Sequence, residues 1–273
     1  MVLFVVIRTD VDHLEVLNSH SILFQRSTIF TYNNTVPQDK MNVFSFCLYG
    51  GYNDRYYPGM IENILLIHKH YPGWFVFVYT GSDVTPEMMA KLRSAPYIVV
   101  KPTGKTGIEN MIERFTAIDE PDVNVMFVRD ADSRVHWKDR LAINDFMASP
   151  EFFAHTIRDH YEHTASLMGG LWGLRKSAGI NIRREYEAYK MNPEDRGIAL
   201  DQNFLSVKIY PKVQRKLLVH HGNGPVNRFE TVRPFPTPWT EALFCGQIER
   251  PGFVEAETTI QRRPAPFRLK LSR

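Results

Sequence analysis

Strand-like and helix-like segments alternate regularly over the first half of the chain. Apolar runs predict strands at 42–49, 74–79, 97–100 and 123–128, and helical periodicity predicts helices at 58–70, 86–93 and 108–118. A helix between two strands carries the chain back across the sheet, so that successive strands run parallel. We therefore expect an α/β fold, a single Rossmann-like domain with a mainly parallel central sheet.

Composition excludes several other classes of protein. With 273 residues and 44% hydrophobic composition, the chain can bury a sizeable core. The net charge is only +3, and basic residues are concentrated in the tail, so we expect no nucleic-acid partner. Cys47 and Cys245 lie far apart in sequence, which argues against a disulfide framework or a zinc cluster.

The ends of the chain are predicted to lie outside the folded domain. Residues 1–40 lack a coherent amphipathic pattern and end in a polar, turn-rich stretch, so we expect a dispensable N-terminal extension. The domain itself is predicted at 41–255, followed by a basic tail at 256–273. No apolar run reaches the length of a membrane span, and no secretory signal is recognisable. We expect no transmembrane segment and a cytoplasmic protein.

Two aspartates follow the fourth predicted strand. Asp130 and Asp132 are two residues apart, so in extended backbone their carboxylates point the same way. Ligands of such sheets bind beyond the carboxyl ends of the strands. Hard cations such as Mg²⁺ or Mn²⁺ prefer oxygen ligands, and a nucleotide diphosphate can complete their coordination. Arg129 and Arg134 flank the pair and either contact phosphate oxygens or hold the loop.

The chain from Val43 to Gly252 resembles a known family in several segments that occur in the same order. They are Met111–Phe115, Asp119–Val123, Phe127–Arg134, Ile157–His160, Met168–Gly173, Leu200–Leu205, Arg233–Pro236 and Phe244–Ile248. The run around Asp130 resembles the donor-site motif of metal-dependent glycosyltransferases of large DNA viruses and bacteria, which have the GT-A fold. The Asp201-Gln202 segment is similar to one in glycogenin-like transferases, which are retaining enzymes.

The resemblance implies a set of site residues, to which strand positions add others. It implies Mn²⁺ or Mg²⁺ bound by Asp130, Asp132 and a histidine, which aligns with His220 or, after a shift of one residue, with His221. It implies that Arg114 binds phosphate or base, that Gly169 and Gly170 admit the sugar diphosphate, and that Asp201 lies under the sugar. Asp159 and His160 would orient hydroxyl groups. Residues that follow the first two strands would contact the base: Tyr49, Gly50 and Asp83.

Each of these residues also has a structural interpretation. Arg114 would be a surface arginine, the two glycines a tight turn, Asp201 a helix cap, and the histidines ordinary hydrogen-bonding residues.

The function expected from these residues is transfer of a sugar from a nucleotide diphosphate, for which the resemblance implies a UDP-sugar, to a glycan or glycoprotein. Two alternatives remain open. A nucleotidyltransferase that makes nucleotide sugars normally needs a Gly-rich, basic loop after its first strand, and the loop Gly50–Arg55 is a poor substitute. A non-catalytic sugar- or protein-binding domain would not need the intact aspartates.

Overall fold

A computed structural model describes residues 40–190, 200–235, 237 and 243–249. They form a single α/β domain around an eight-stranded sheet with the order β3-β2-β1-β4-β6-β5-β7-β8. The strands are β1 (Met41–Leu48), β2 (Phe75–Thr80), β3 (Ile98–Pro102), β4 (Val123–Arg129), β5 (Ala154–Asp159), β6 (Leu171–Arg175), β7 (Leu217–Asn223) and β8 (Thr231–Pro234). The α-helices are α1 (Tyr56–His70), α2 (Pro86–Ser94), α3 (Trp137–Met147), α4 (Ile182–Lys190), α5 (Leu200–Phe204) and α6 (Tyr210–Val213), with a π-helical turn at Leu205–Ile209.

The direction of the strands confirms the predicted α/β fold with a mainly parallel sheet. Five of the seven strand pairings are parallel, and both antiparallel pairings involve β6. Because only β6 is reversed, the carboxyl ends of β1, β2, β4, β5 and β7 lie at one edge of the sheet. The first residue of β6 lies at that same edge, and we refer to it as the carboxyl edge.

Two apolar clusters cover the two faces of the sheet. Successive side chains of β4 alternate between them, as the two-residue repeat of a strand requires. Val128 packs in a cluster that includes Phe115 and Trp172, whereas Phe127 packs in a cluster that includes Phe44 and Phe146. At the carboxyl edge, Arg129 therefore continues the face of Phe127 and Asp130 the face of Val128.

The helix predicted at 108–118 is wrong in type. The chain instead forms two 3-10 segments, Gly107–Asn110 and Glu113–Asp119. The Asn110 amide donates to the carbonyl of Gly107 at 2.9 Å, and the Thr116 hydroxyl donates to that of Glu113 at 2.7 Å. These side chains occupy carbonyls that an α-helix would use for its own hydrogen bonds, which favours tighter turns.

The predicted extension at 1–40, apart from Lys40, and the basic tail at 256–273 lie outside the described residues. Their boundaries, and the dispensability of the extension, stay predictions. None of the helices in the described ranges is both long enough and apolar enough to cross a membrane.

Candidate functional site

Asp130 and Gly170 face each other across the antiparallel pair β4–β6. The register pairs Arg129 with Leu171. Asp130, which follows Arg129, therefore meets Gly170, which precedes Leu171, at the carboxyl edge. A Cβ on Gly170 would lie 2.5 Å from Cγ of Asp130 and would overlap its carboxylate. Glycine is therefore required at this position because the Asp130 carboxylate occupies the space of a side chain.

Arg114 joins two of the predicted aspartates. Its Nη1 is paired with Asp130 Oδ1, and its Nη2 lies 3.1 Å from Asp201 Oδ2. The Arg114 side chain is only 4% exposed, whereas that of Asp130 is 44% exposed. Burial alone would lower the pKa of Arg114, but Asp130, Cys47 and Asp201 raise it, so the guanidinium stays charged. Arg114 is a buried part of the site rather than a surface arginine.

A glutamine that the sequence analysis assigned no role holds the glycine loop against this group. The Gly169 N–H donates to Gln202 Oε1 at 3.0 Å, and the Gln202 Nε2 donates to the carbonyl of Leu167. A Cβ on Gly169 would lie 3.1 Å from Asp201 Oδ2. The fold thus brings both glycines together with Arg114, Asp130 and Asp201. The neighbouring Asp-Gln pair was the sequence signal that could have identified Gln202.

Asp201 is itself part of a helix. It lies in the first turn of α5, where its Oδ1 accepts from the Gln202 N–H at 2.8 Å. Its Oδ2 is held by Arg114, and the residue is 6% exposed. Both carboxylate oxygens therefore have partners within the protein.

The second aspartate of the pair contacts a residue that the sequence analysis did not single out. Asp132 forms an ion pair with Arg55, which precedes the first residue of α1. The Asp132 side chain is 11% exposed, and the carbonyl of this residue accepts from the Glu249 N–H at 3.0 Å. Each aspartate of the pair thus has an arginine as its counterion.

The residues after β1 and β2 border the site. Burial raises the pKa of Tyr49 to about 12, with smaller effects from Cys47 and the nearby charges of Arg114 and Asp201. Gly50 has a φ of +81°, and its carbonyl accepts from the Tyr57 hydroxyl at 2.8 Å. A left-handed φ is a conformation that glycine adopts at little cost, which fits its place in this loop.

Asp83, predicted to contact the base, binds backbone instead. Burial would raise its pKa, but hydrogen bonds from the N–H groups of Gly107 and Gly50 lower it. The bond from Gly107 is 2.9 Å long. Asp83 therefore ties the loop after β2 to the segment that begins at Gly107, after β3.

The structure does not bring His220, the predicted third metal ligand, beside the two aspartates. The strand extends to Asn223, so His220 lies within β7 rather than at its carboxyl end. Its Nδ1 lies 2.8 Å from His155 Nε2, and its Nε2 lies 2.9 Å from Asp145 Oδ2. Both ring nitrogens are therefore engaged. Two strands separate β7 from β4, a distance on the order of 14 Å at the usual strand spacing.

The alternative ligand His221 is not beside the aspartates either. It follows His220 in β7, and its Nε2 contacts the carbonyl of Gly224 at 2.8 Å. In the described part of the chain, the carboxylates of Asp130 and Asp132 thus belong to no group of three potential ligands.

Asp159, predicted to be catalytic, is a buried structural residue. It is 1% exposed at the end of β5, and its Oδ2 accepts from the Cys245 N–H at 3.0 Å and from Lys138 Nζ at 3.4 Å. Burial raises its pKa. The ring of neighbouring His160 stacks on Phe244 at 3.9 Å. These contacts bury Asp159 in the described structure and do not bring it beside Asp130 and Asp132.

Arg129 also fills a structural position rather than the predicted donor-binding one. Its Nε donates to Asp139 Oδ1 at 2.9 Å, and both side chains are almost fully buried. Asp139 belongs in turn to a buried group with His136 and Cys245, whose potential ligand atoms lie within 4.8 Å of one another. Since Arg129 follows the face of Phe127, it points away from Asp130. Of the two interpretations offered for this arginine, holding the loop fits the structure.

Comparison with known proteins gives structural likenesses only. No family model matches the chain, and no curated protein matches it. One similar solved structure is a glycosyltransferase involved in glycosylation of the major capsid of PBCV-1, with 13% identity, a TM-score of 0.45, and coverage of 66% of this chain and 82% of that one.

Two further likenesses are of the same order. The 4-diphosphocytidyl-2C-methyl-D-erythritol synthase of Anaerococcus prevotii has 12% identity and a TM-score of 0.43, covering 68% of this chain and 88% of that one. The glycosyltransferase GlyE of Streptococcus pneumoniae has 11% identity and a TM-score of 0.45, covering 69% of this chain and 45% of that one.

Proposed function

We propose that this protein transfers a sugar from a nucleotide diphosphate to a glycan or glycoprotein acceptor. One observation carries the proposal. At the carboxyl edge of an α/β sheet, where such folds bind ligands, Asp130 lies against the buried Arg114 and against Gly170, Arg114 also binds Asp201, and Asp132 follows two residues after Asp130. These residues lie in four different segments of the sequence, so no single motif dictates that they meet.

The donor set suits a hard divalent cation held jointly by protein and nucleotide. Asp130 and Asp132 supply carboxylate oxygens, and Mg²⁺ is commonly bound by one or two carboxylates together with substrate phosphates. Asp130 is 44% exposed, so an ion can reach it. When bound, Mn²⁺ or Mg²⁺ would neutralise charge on the departing diphosphate.

The protein's own groups have separate tasks in this proposal. Arg114 holds Asp130 in place from the buried side, and Asp201 fixes Arg114 from beneath. Gly169 and Gly170 leave room for the carboxylates of Asp201 and Asp130, beside which the sugar diphosphate would lie. Asp201 is a positioning residue here, since both of its oxygens are already engaged. Binding and orientation of the two substrates then supply much of the rate enhancement.

The identity of the donor remains part of the proposal. A UDP-sugar and retention of anomeric configuration are the choices that the resemblance of the Asp130 and Asp201 segments favours.

The test is release of nucleoside diphosphate from a panel of nucleotide sugars with Mn²⁺ or Mg²⁺ present. We expect turnover of at least one UDP-sugar, with loss of turnover on chelation and in Asp132→Asn. Asp122→Asn is a matched control, because the same charge is removed from an exposed residue at the opposite edge of the sheet, just before β4. Turnover that is equal in both variants, or that survives chelation, would contradict the proposal.

The same assay separates the two alternatives. A nucleotidyltransferase would instead consume a nucleoside triphosphate and a sugar phosphate. The loop after β1 offers a triphosphate one cation, Arg55, which is paired with Asp132. A non-catalytic binder would retain nucleotide sugars without turnover.

A further inference from the structure

Arg55 differs from the other residues of the site in how it is held. Asn53 fixes its backbone, because the Asn53 Oδ1 accepts from the Arg55 N–H at 2.9 Å. The side chain is 43% exposed, and its guanidinium pairs with Asp132. Its Nε has no hydrogen-bond partner among the described residues. The guanidinium carbon also lies 5.3 Å from the centroid of the Tyr56 ring, a contact with a sequence neighbour. The hydrogen bond that directs the Arg55 side chain into the site is thus the one to Asp132.

Arg114, the counterion of the other aspartate, is fixed. Its side chain is 4% exposed and bridges Asp130 and Asp201. Its carbonyl accepts from the Ser45 hydroxyl at 2.6 Å. Removing Arg114 would leave the buried carboxylate of Asp201 without its counterion, which is strongly unfavourable. Arg55 is 43% exposed, so its guanidinium can move into solvent when a cation takes its place at Asp132, and no buried charge is then left unpaired.

We infer that Arg55 is a movable counterion, which a divalent cation must displace from Asp132. The displaced guanidinium then binds the phosphates of a nucleoside diphosphate. The inference deepens the proposed function, on which it rests, by specifying how metal and nucleotide bind. A cation alone must break the Arg55–Asp132 pair and gains no new partner for the arginine. With a diphosphate present, the guanidinium fork can bind phosphate oxygens in two parallel hydrogen bonds. Metal and diphosphate then strengthen each other's binding by the same factor.

The decisive measurement is Mn²⁺ affinity of the full chain, by electron paramagnetic resonance or calorimetry, with and without UDP. For the unmodified protein we expect weak binding of Mn²⁺ alone and binding tightened about tenfold or more by UDP. Arg55→Gln should bind Mn²⁺ alone roughly 3- to 10-fold more tightly and lose most of the effect of UDP. Pyrophosphate should replace UDP in part, because the phosphates carry the contact.

Three variants serve as controls. Arg184→Gln removes the same charge from an exposed residue of α4 and should leave Mn²⁺ binding unchanged. In the Asp132→Asn background, Arg55→Gln should no longer change the affinity for Mn²⁺. Arg55→Lys keeps the charge without the planar fork, so it should still weaken binding of Mn²⁺ alone but couple less well to UDP.

The inference is overturned if Arg55→Gln binds Mn²⁺ alone no more tightly than the unmodified protein does. It is also overturned if neither protein binds Mn²⁺ in the presence of UDP. Turnover of nucleotide sugars would then still support the proposed function. Conversely, Arg55→Gln could bind Mn²⁺ more tightly while no nucleotide sugar is turned over. That result would support the inference about Arg55 and contradict the proposed transferase function. Circular dichroism of each variant verifies that it is folded.

Discussion

Gly170→Ala is the substitution with the most direct geometric consequence at this site. The added Cβ would lie 2.5 Å from Cγ of Asp130 and 3.0 Å from its Oδ1. Real Cβ atoms do not approach other atoms so closely, so one of the two residues must move. The Gly170 backbone is fixed by the register of β4 with β6, and Asp130 is the more exposed and therefore the residue that shifts.

The expected losses of stability and turnover in Gly170→Ala follow from the displacement of Asp130. Overpacking a well-packed interior costs about 1–3 kcal/mol, and the lower end applies because Asp130 can turn towards solvent. A loss of about 1 kcal/mol in a domain of this size lowers the melting temperature by about 2–4 °C. Activity should suffer far more, since a displacement of about 1 Å in a reacting group can lower the rate about 100-fold. A small loss of stability with a large loss of turnover is therefore expected.

The measurement compares melting temperature and turnover of Gly170→Ala with those of Gly51→Ala. Gly51 is the matched control, because its φ is not in the left-handed region and a Cβ there would meet nothing within 4 Å. Gly51→Ala should retain both properties. If Gly170→Ala also retained full turnover and Mn²⁺ binding, the contact between Gly170 and Asp130 would have no role in the site.

The remaining predictions concern charge. Arg114→Gln should lower the free energy of unfolding by about 3 kcal/mol in urea titrations, because it leaves the carboxylates of Asp130 and Asp201 without their counterion. An unchanged denaturation midpoint would show that the ion pairs contribute nothing. Burial, with His220 and Arg129 nearby, holds the pKa of His155 well below its usual 6.5. Since a lowered pKa favours the neutral ring only in the fold, stability should be full above about pH 6.5 and fall below it. Equal unfolding free energies at about pH 7.5 and pH 5.5 would contradict this.

The fold could be predicted from sequence because its signal is local and repeated. Alternating strands and helices favour a parallel sheet, and this alternation is visible in the sequence of the segment 42–128. The same reasoning places Asp130 and Asp132 at the carboxyl edge, since they directly follow β4. The type of helix at 108–118 could not be predicted, because it depends on which carbonyls the side chains of Asn110 and Thr116 occupy.

His220 shows where local reasoning fails. The apolar run Leu217–Val219 indicates a short strand that ends before His220, but the real end of the strand depends on pairing with β5 and β8, which are distant in sequence. Three or four more paired residues move His220 from a loop to the interior of the sheet. There it contacts His155 and Asp145, and neither contact is visible as a sequence pattern. The pairing of Arg55 with Asp132, across 77 residues, was hidden for the same reason.

Charge balance at the carboxyl edge connects these observations to binding. Three carboxylates, of Asp130, Asp132 and Asp201, face the two guanidinium groups of Arg55 and Arg114, so the set carries one net negative charge. A nucleotide diphosphate sugar alone would add negative charge to that set, and a divalent cation alone would have to displace Arg55. The neutral complex of the two leaves the net charge unchanged, and it provides phosphate oxygens for the arginine that the metal releases. Because electrostatic interactions are stronger at a partly buried site such as Asp132 than at one open to water, this balance favours binding of metal and nucleotide as a unit.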